Sequence, residues 1–250
     1  MARALRTANP VWNETLIRDM AAEQAREART MTISGAVAKT AVLLGLLLAA
    51  AAGSWSLAMD NPSLTMPLTI GGAIGGLILV LISVFHPKSS PIVGPLYGIA
   101  EGIFLGAISM VFNAAYPGIV GQAVGITFAV AGIMLVLYSQ RILRATPGFT
   151  KGLIAATGAV CMVYFVSFLL RLFGVSVPYI HGSGVIGILF SLVVVVIASL
   201  NLILDFDLIE HGAAHQLPKH MEWFAAIGLM VTLVWMYIEI LRLLAKLNRR

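Results

Sequence analysis

The sequence predicts an all-α, polytopic membrane protein: a bundle of seven transmembrane helices with the last one near its centre. Three observations lead there. Of 250 residues, 59% are hydrophobic and only 11% are charged. The mean hydropathy is +0.94. The apolar residues are gathered into runs of spanning length, separated by short turn signals. A soluble domain carries about a quarter charged residues, and its surface grows with its volume, so it cannot hide this much apolar material. A transmembrane β-barrel would show alternating segments of about 10 residues, whereas these runs are longer and apolar on all sides.

The chain divides into an N-terminal arm, 1–36, and a transmembrane domain, 37–250. Within the arm, residues 10–30 read as an amphipathic helix, with Asn9 as cap and Pro10 in the first helical position. Trp12, Leu16 and Met20 recur at i, i+4 and i+8, while Arg18, Glu23, Arg26 and Glu27 fall largely elsewhere. Such a helix lies on a membrane surface or forms a plain soluble extension. No apolar core follows closely behind a short basic stretch, so the arm does not read as a secretory signal.

A spanning helix needs about 20 mainly apolar residues. Seven segments qualify, at 38–58, 66–85, 92–112, 118–138, 152–173, 182–204 and 223–244. The breaks carry turn chemistry at Asp60-Asn61-Pro62, His86-Pro87-Lys88, Tyr116-Pro117-Gly118, Thr146-Pro147-Gly148 and Pro218-Lys219.

The net charge is +5, but the basic residues are scattered between apolar runs. They orient helices rather than form a nucleic-acid-binding face. Arg3, Arg6, Arg18, Arg26, Arg29, Lys88, Arg141, Arg144, Lys151 and Lys219 fall on one side of a seven-span topology. That side is expected to be cytoplasmic, with the N-terminus inside. The same topology places Arg242, Lys246, Arg249 and Arg250 outside, against the rule. Cys161 is the single cysteine, and it cannot form an intrachain disulfide.

Gly94, Gly98, Gly102 and Gly106 repeat every fourth residue in the third segment. Small residues at that spacing let helix backbones approach closely, so this is expected to be a packing face. Gly71, Gly72, Gly75 and Gly76 are expected to do the same in the second segment.

Chemistry is then left to the polar groups that the bundle encloses. An ionisable side chain in the hydrocarbon costs about 2.5–3.5 kcal/mol on insertion scales and is a functional candidate by default. Glu101, in the middle of the third segment, reads as a proton or cation relay or as a structural carboxyl bonded to a neighbouring helix. Asp205 and Asp207 lie two residues apart in LILDFDLIEHG and point to roughly opposite sides of a helix. Asp205 is the deeper, while Asp207, Glu210 and His211 suggest a solvated cluster at the membrane face. Glu239 has Arg242 at i+3, a spacing for an intrahelical ion pair. His211 and His215 have a spacing that suits a metal on a helix, but without a strict motif His211, His215 and His220 read as a titrating loop.

No H-E-x-x-H, G-x-S-x-G elbow, nucleotide-binding loop or mid-helix lysine in the last span is present. The expectation is a protein that is not an enzyme and carries no cofactor.

Four stretches carry a resemblance: MTISGAVAKTAVLL, SPIVGPLYGIAEGIFLGAIS, LNLILDFDLIEHG and PKHMEWFAAIGLMVTLVWMYIEILRLL. From about Met31 onward the chain resembles the Bax inhibitor / YccA-like family, also called the transmembrane Bax inhibitor motif family, and most closely its bacterial branch. The resemblance implies a pH-sensitive calcium leak in a bacterial inner membrane. It implies a proton-shared aspartate pair between the sixth and seventh helices. Asp205, with Ile209 four residues later, matches the sixth-helix position. Thr232 stands where the family often has the seventh-helix aspartate, and Thr232 does not titrate. Glu101 is then the preferred source of a second carboxylate, with Glu239 the alternative.

The leading expectation is a pH-gated Ca²⁺ or cation leak, with Asp205 as gate and proton sensor, Glu101 as a mid-membrane step and Thr232 as a neutral contact. Any Ca²⁺ at Asp205 and Glu101 would be transient. Two other readings use the same features: a proton-coupled transporter of a small solute, and a non-transporting regulator that binds membrane proteases or other membrane proteins. The expected partners are the lipid bilayer, Ca²⁺ or another cation, protons and membrane proteins, with no nucleic acid.

Overall fold

A computed structural model of the chain describes residues 30–174 and 182–249. The amphipathic helix expected over 10–30 lies almost entirely outside the described residues. Seven long helices are described: α1 (Ile33–Asp60), α2 (Thr65–Phe85), α3 (Ser90–Ala115), α4 (Ile119–Ser139), α5 (Pro147–Leu172), α6 (Val185–Ala214) and α7 (Met221–Asn248). All seven are long and apolar enough to cross a membrane.

Local chemistry sets the ends. Thr32 caps α1, its hydroxyl accepting from the Gly35 amide at 3.0 Å, so the helix begins inside what the composition assigns to the arm. Short 3-10 turns at Pro62–Leu64 and Pro87–Ser89 lead into α2 and α3. The Thr146-Pro147 break is a helix start: Thr146 is the cap of α5, Pro147 occupies its first turn, and the helix begins at 147 rather than 152. Positive φ at Gly118 and Gln216 turns the chain into α4 and out of α6.

The largest departure is α6, which runs ten residues past the expected end at 204. Hydropathy marks where a helix leaves the hydrocarbon, not where its hydrogen bonding stops. Asp205, Asp207, Glu210 and His211 are therefore all helical, and only His215 and His220 flank the turn.

The last helix is the hub. It packs on α1, α3, α4 and α6, while α2 leans chiefly on α3 and α5 on α6. Helix α7 buries residues along its whole length, from Glu222 to Ala245. By contrast, α2 buries only Gly72, Gly76 and Ser83 and turns Ile74, Leu77 and Ile78 outward. Exposed apolar residues of that kind are what a helix bordering lipid requires.

The glycines show how tightly the inner helices meet. A Cβ at Gly102 or Gly106 would overlap the backbone of α1 at Leu47 and Ala51, and one at Gly98 would crowd the Leu43 carbonyl. Gly94, expected on the same face, instead admits Trp223 and Ile227 of α7. Gly72 and Gly76 meet α3, whereas Gly71 faces open space and packs against nothing.

Candidate functional site

Asp205 projects from α6 toward α7. Its nearest neighbours there are Gly228, where a Cβ would come within 3.8 Å of Asp205 Oδ1, and Thr232, which presents its hydroxyl to the carboxyl group. Thr232 is 8% exposed, and its hydroxyl also lies 3.4 Å from the Gly228 carbonyl. Asp205 Oδ2 is buried and has no hydrogen-bond partner among the described residues. The position where a second aspartate was expected from the resemblance is occupied by Thr232, beside Asp205.

Asp205 lies nine residues before Ala214, roughly 14 Å from that end of the bundle at 1.5 Å per residue. Glu101 lies eleven residues after Ser90 and Thr232 eleven after Met221, roughly 17 Å from the same side. Equal depth does not bring the carboxylates together. Glu101 reaches toward α2, where any side chain at Gly76 would collide with its Oε1. Its Oε2 is buried without a hydrogen-bond partner among the described residues, and α3 packs on α1, α2, α4 and α7 rather than on α6. No hydrogen bond or ion pair joins Glu101 to Asp205 among the described residues. A helical stripe fixes a direction on its own helix but not the neighbour that stands there.

Glu239, the other alternative, is 1% exposed and already partnered. Tyr164 Oη lies 2.9 Å from both of its oxygens, and Arg242 Nη1 donates to Oε1 at 2.9 Å. The i+3 ion pair read from the spacing is present, as one part of a network that also includes α5.

Asp207, Glu210 and His211 do form a cluster at the membrane face, and it is a helix–helix contact. Asp207 pairs with His211 at 3.2 Å. Glu210 pairs with Arg141, just beyond α4, and accepts from Tyr138 Oη. The His211 and His215 rings stack with centroids 6.4 Å apart, but His211 Nδ1 is turned to Asp207. Among the described residues no three His, Cys, Asp or Glu side chains converge on a metal site.

One carboxylate escaped sequence reasoning altogether. Glu222, in the first turn of α7, is fully buried. It accepts from Thr32 N and Thr32 Oγ1, both at 2.9 Å, and sits 2.9 Å from Lys219 Nζ and 3.5 Å from Lys39 Nζ. Gly35 lies beside it, and a Cβ there would fall on the carboxylate. The Thr30–Pro218 bridge and the Met31 N to Leu217 O bond, 2.6 Å, complete a fastening of the start of α1 to the α6–α7 turn. The only local signal was Lys219 three residues earlier.

Fold and site together define a multi-pass membrane protein whose central helix is flanked by buried carboxylates at two depths. Residues 9–249 match the family model described as Bax inhibitor 1 like, and the chain belongs to that family. The match begins at residue 9, so it takes in most of the arm as well as the stretch from Met31 onward. Nothing matches among the curated proteins, and nothing among the solved structures.

Proposed function

We propose that this protein is a pH-sensitive cation leak, with Ca²⁺ as the cargo its oxygen ligands suit best, and that Asp205 is the proton-sensing gate. One observation carries the reading. A carboxyl group stands within the hydrocarbon layer, with one oxygen enclosed and lacking a hydrogen-bond partner among the described residues, opposite a neutral hydroxyl on the central helix.

With its proton, Asp205 is able to donate to Thr232 and hold α6 against α7. Without it, the carboxylate has the neutral Thr232 hydroxyl beside it among the described residues, and a cation or water entering from the near membrane face stabilises it. Ca²⁺ takes oxygen ligands, carboxylates above all, and the Asp205 carboxylate supplies them at this contact. Beyond Asp205 the core closes with Leu202, Met230, Val234 and Tyr237, an apolar layer of the kind that gates by excluding water. Separation of α6 from α7 is the motion that opens it. Thr232 does not titrate, so the like-charge coupling of a carboxyl pair is absent and the response is that of a single site. Glu101 acts as a separate step at the α2–α3 contact.

The same reading puts the basic loops and the N-terminus on the cytoplasmic face of a bacterial inner membrane and assigns the protein no catalytic reaction and no cofactor. Calcium flux in proteoliposomes across a pH series, for the parent and Asp205→Asn, tests it. The parent is expected to show pH-dependent flux that is flattened in the variant. Identical profiles would remove Asp205 from the gate. Parent flux no greater than that of empty liposomes, with the helices intact by circular dichroism, would end the leak reading.

A further inference from the structure

The end of the bundle remote from Asp205 carries a second polar constellation. In the last turns of α7, Arg242, Lys246 and Arg249 are spaced i, i+4 and i+7 and so share one face. With Tyr116 at the end of α3 and Tyr164 of α5 they line a chamber of about 370 Å³. Each cation is tied to a different element. Arg242 pairs with Glu239 and lies 5.2 Å from the centroid of the Tyr164 ring. Lys246 Nζ donates to the Gly187 carbonyl at 2.9 Å and to Ser191 Oγ at 2.8 Å. Arg249 Nε donates to Tyr116 Oη at 3.2 Å.

These bonds hold three like charges around one space instead of letting them splay into water. No carboxylate stands among the described lining residues. Glu239 lies beneath the chamber, where Tyr164 and Arg242 already occupy its oxygens. The arrangement also accounts for the basic C-terminal end that runs against the orientation rule: Arg242, Lys246 and Arg249 are docked parts of the bundle, not a free tail.

We infer that this chamber binds a phosphate group. The guanidinium groups of Arg242 and Arg249, with the charge of Lys246 beside them and the Tyr116 hydroxyl from a second helix, match a group that offers acceptor oxygens in several directions. The site lies at the ends of α3 and α7, at the level of lipid headgroups rather than of acyl chains. Basic pockets between transmembrane helices are known hosts for such headgroups. Val111, Phe112 and Ala115 form an apolar wall on one side, which suits the glycerol end of a phospholipid. Free inorganic phosphate offers the same chemistry.

The test is thermal unfolding of the full chain in neutral detergent, titrated with short-chain phosphatidylglycerol, with inorganic phosphate, and with chloride at matched ionic strength. The parent and Arg249→Gln are compared, with Arg242→Gln/Arg249→Gln as a second variant. Arg249 is exposed and outside the core, so its replacement leaves the fold intact. The unfolding midpoint of the parent is expected to rise with phosphatidylglycerol or phosphate beyond the chloride effect. The half-effect concentration is expected to increase about tenfold in Arg249→Gln, as loss of a charge-assisted hydrogen bond implies, and further in the double variant. A response to the lipid alone assigns the site to a headgroup; a response to inorganic phosphate assigns it to the free anion. No rise above chloride, or an unchanged half-effect concentration in both variants, overturns the inference. The outcome does not depend on whether the protein conducts cations.

Discussion

Glu222 and Asp205 are two enclosed carboxylates of the same helix pair, and they are treated in opposite ways. Glu222 is fully buried but surrounded by fixed donors: the capping residue of α1, Lys219 and Lys39. Asp205 sits deeper in the membrane, faces a threonine, and keeps one oxygen without a hydrogen-bond partner among the described residues. Breaking a buried charge pair by removing one partner is costly because the remaining charge is stranded. A carboxylate held by fixed cations is therefore a fastener, as Glu222 is even though its Oε2 meets Lys39 at 3.5 Å without a hydrogen bond among the described residues. One held without a fixed cation leaves its charge to be settled by a proton or by a passing ion, which is what a gate requires.

The comparison is broken most severely at the fastener. Glu222→Ala leaves Lys39, Lys219 and the amide and hydroxyl of Thr32 without their acceptor. We expect it to destabilise the protein by about 3 kcal/mol, read as a lowered unfolding midpoint in detergent. Gly35→Ala forces a methyl group onto the Glu222 carboxylate and is expected to cost roughly 1–3 kcal/mol in the same measurement. Asp205→Asn strands no partner charge, so its stability change is expected to stay below about 1 kcal/mol while the pH dependence of flux is lost. A loss as large as that of Glu222→Ala would show that Asp205 is a fastener too.

Two further variants sharpen the contrast. Thr232→Asp places a second titrating group against Asp205, so the pH profile of flux is expected to split from one step into two; a single unchanged step would mean that the two side chains do not meet. Glu101→Gln has the smallest expected effect. Because Glu101 faces Gly76 on α2, the variant is expected to change flux amplitude while leaving the midpoint of the pH profile where it was. A shifted midpoint would couple Glu101 to Asp205 after all.

Much of this was legible in the residue order. Apolar runs of spanning length located all seven helices, and the family resemblance singled out Asp205 and Thr232, two positions that the fold brings close together. Other features were hidden for physical reasons. Asp207, Glu210 and His211 read as a solvated cluster because charge signals departure from lipid, yet Asp207 and Glu210 meet Tyr138, and Glu210 pairs with Arg141. Glu222 gave no signal in the sequence beyond Lys219, because its principal partner, Thr32, lies 190 positions away. Gly94 continues a four-residue repeat but turns toward a different helix from the other three.

The sequence alone determined the solvent, the number of crossings and which helices carry ionisable groups. Those follow from transfer free energies summed along the chain, and such sums need no knowledge of neighbours. Only the tertiary structure decided which carboxylates are satisfied, that Glu101 and Asp205 stand at one depth yet apart, and that the basic end of α7 closes around a chamber. Each depends on which helix lies opposite, and in a bundle that is set by backbone approach at Gly98, Gly102 and Gly106 and by the docking of α7 among four neighbours.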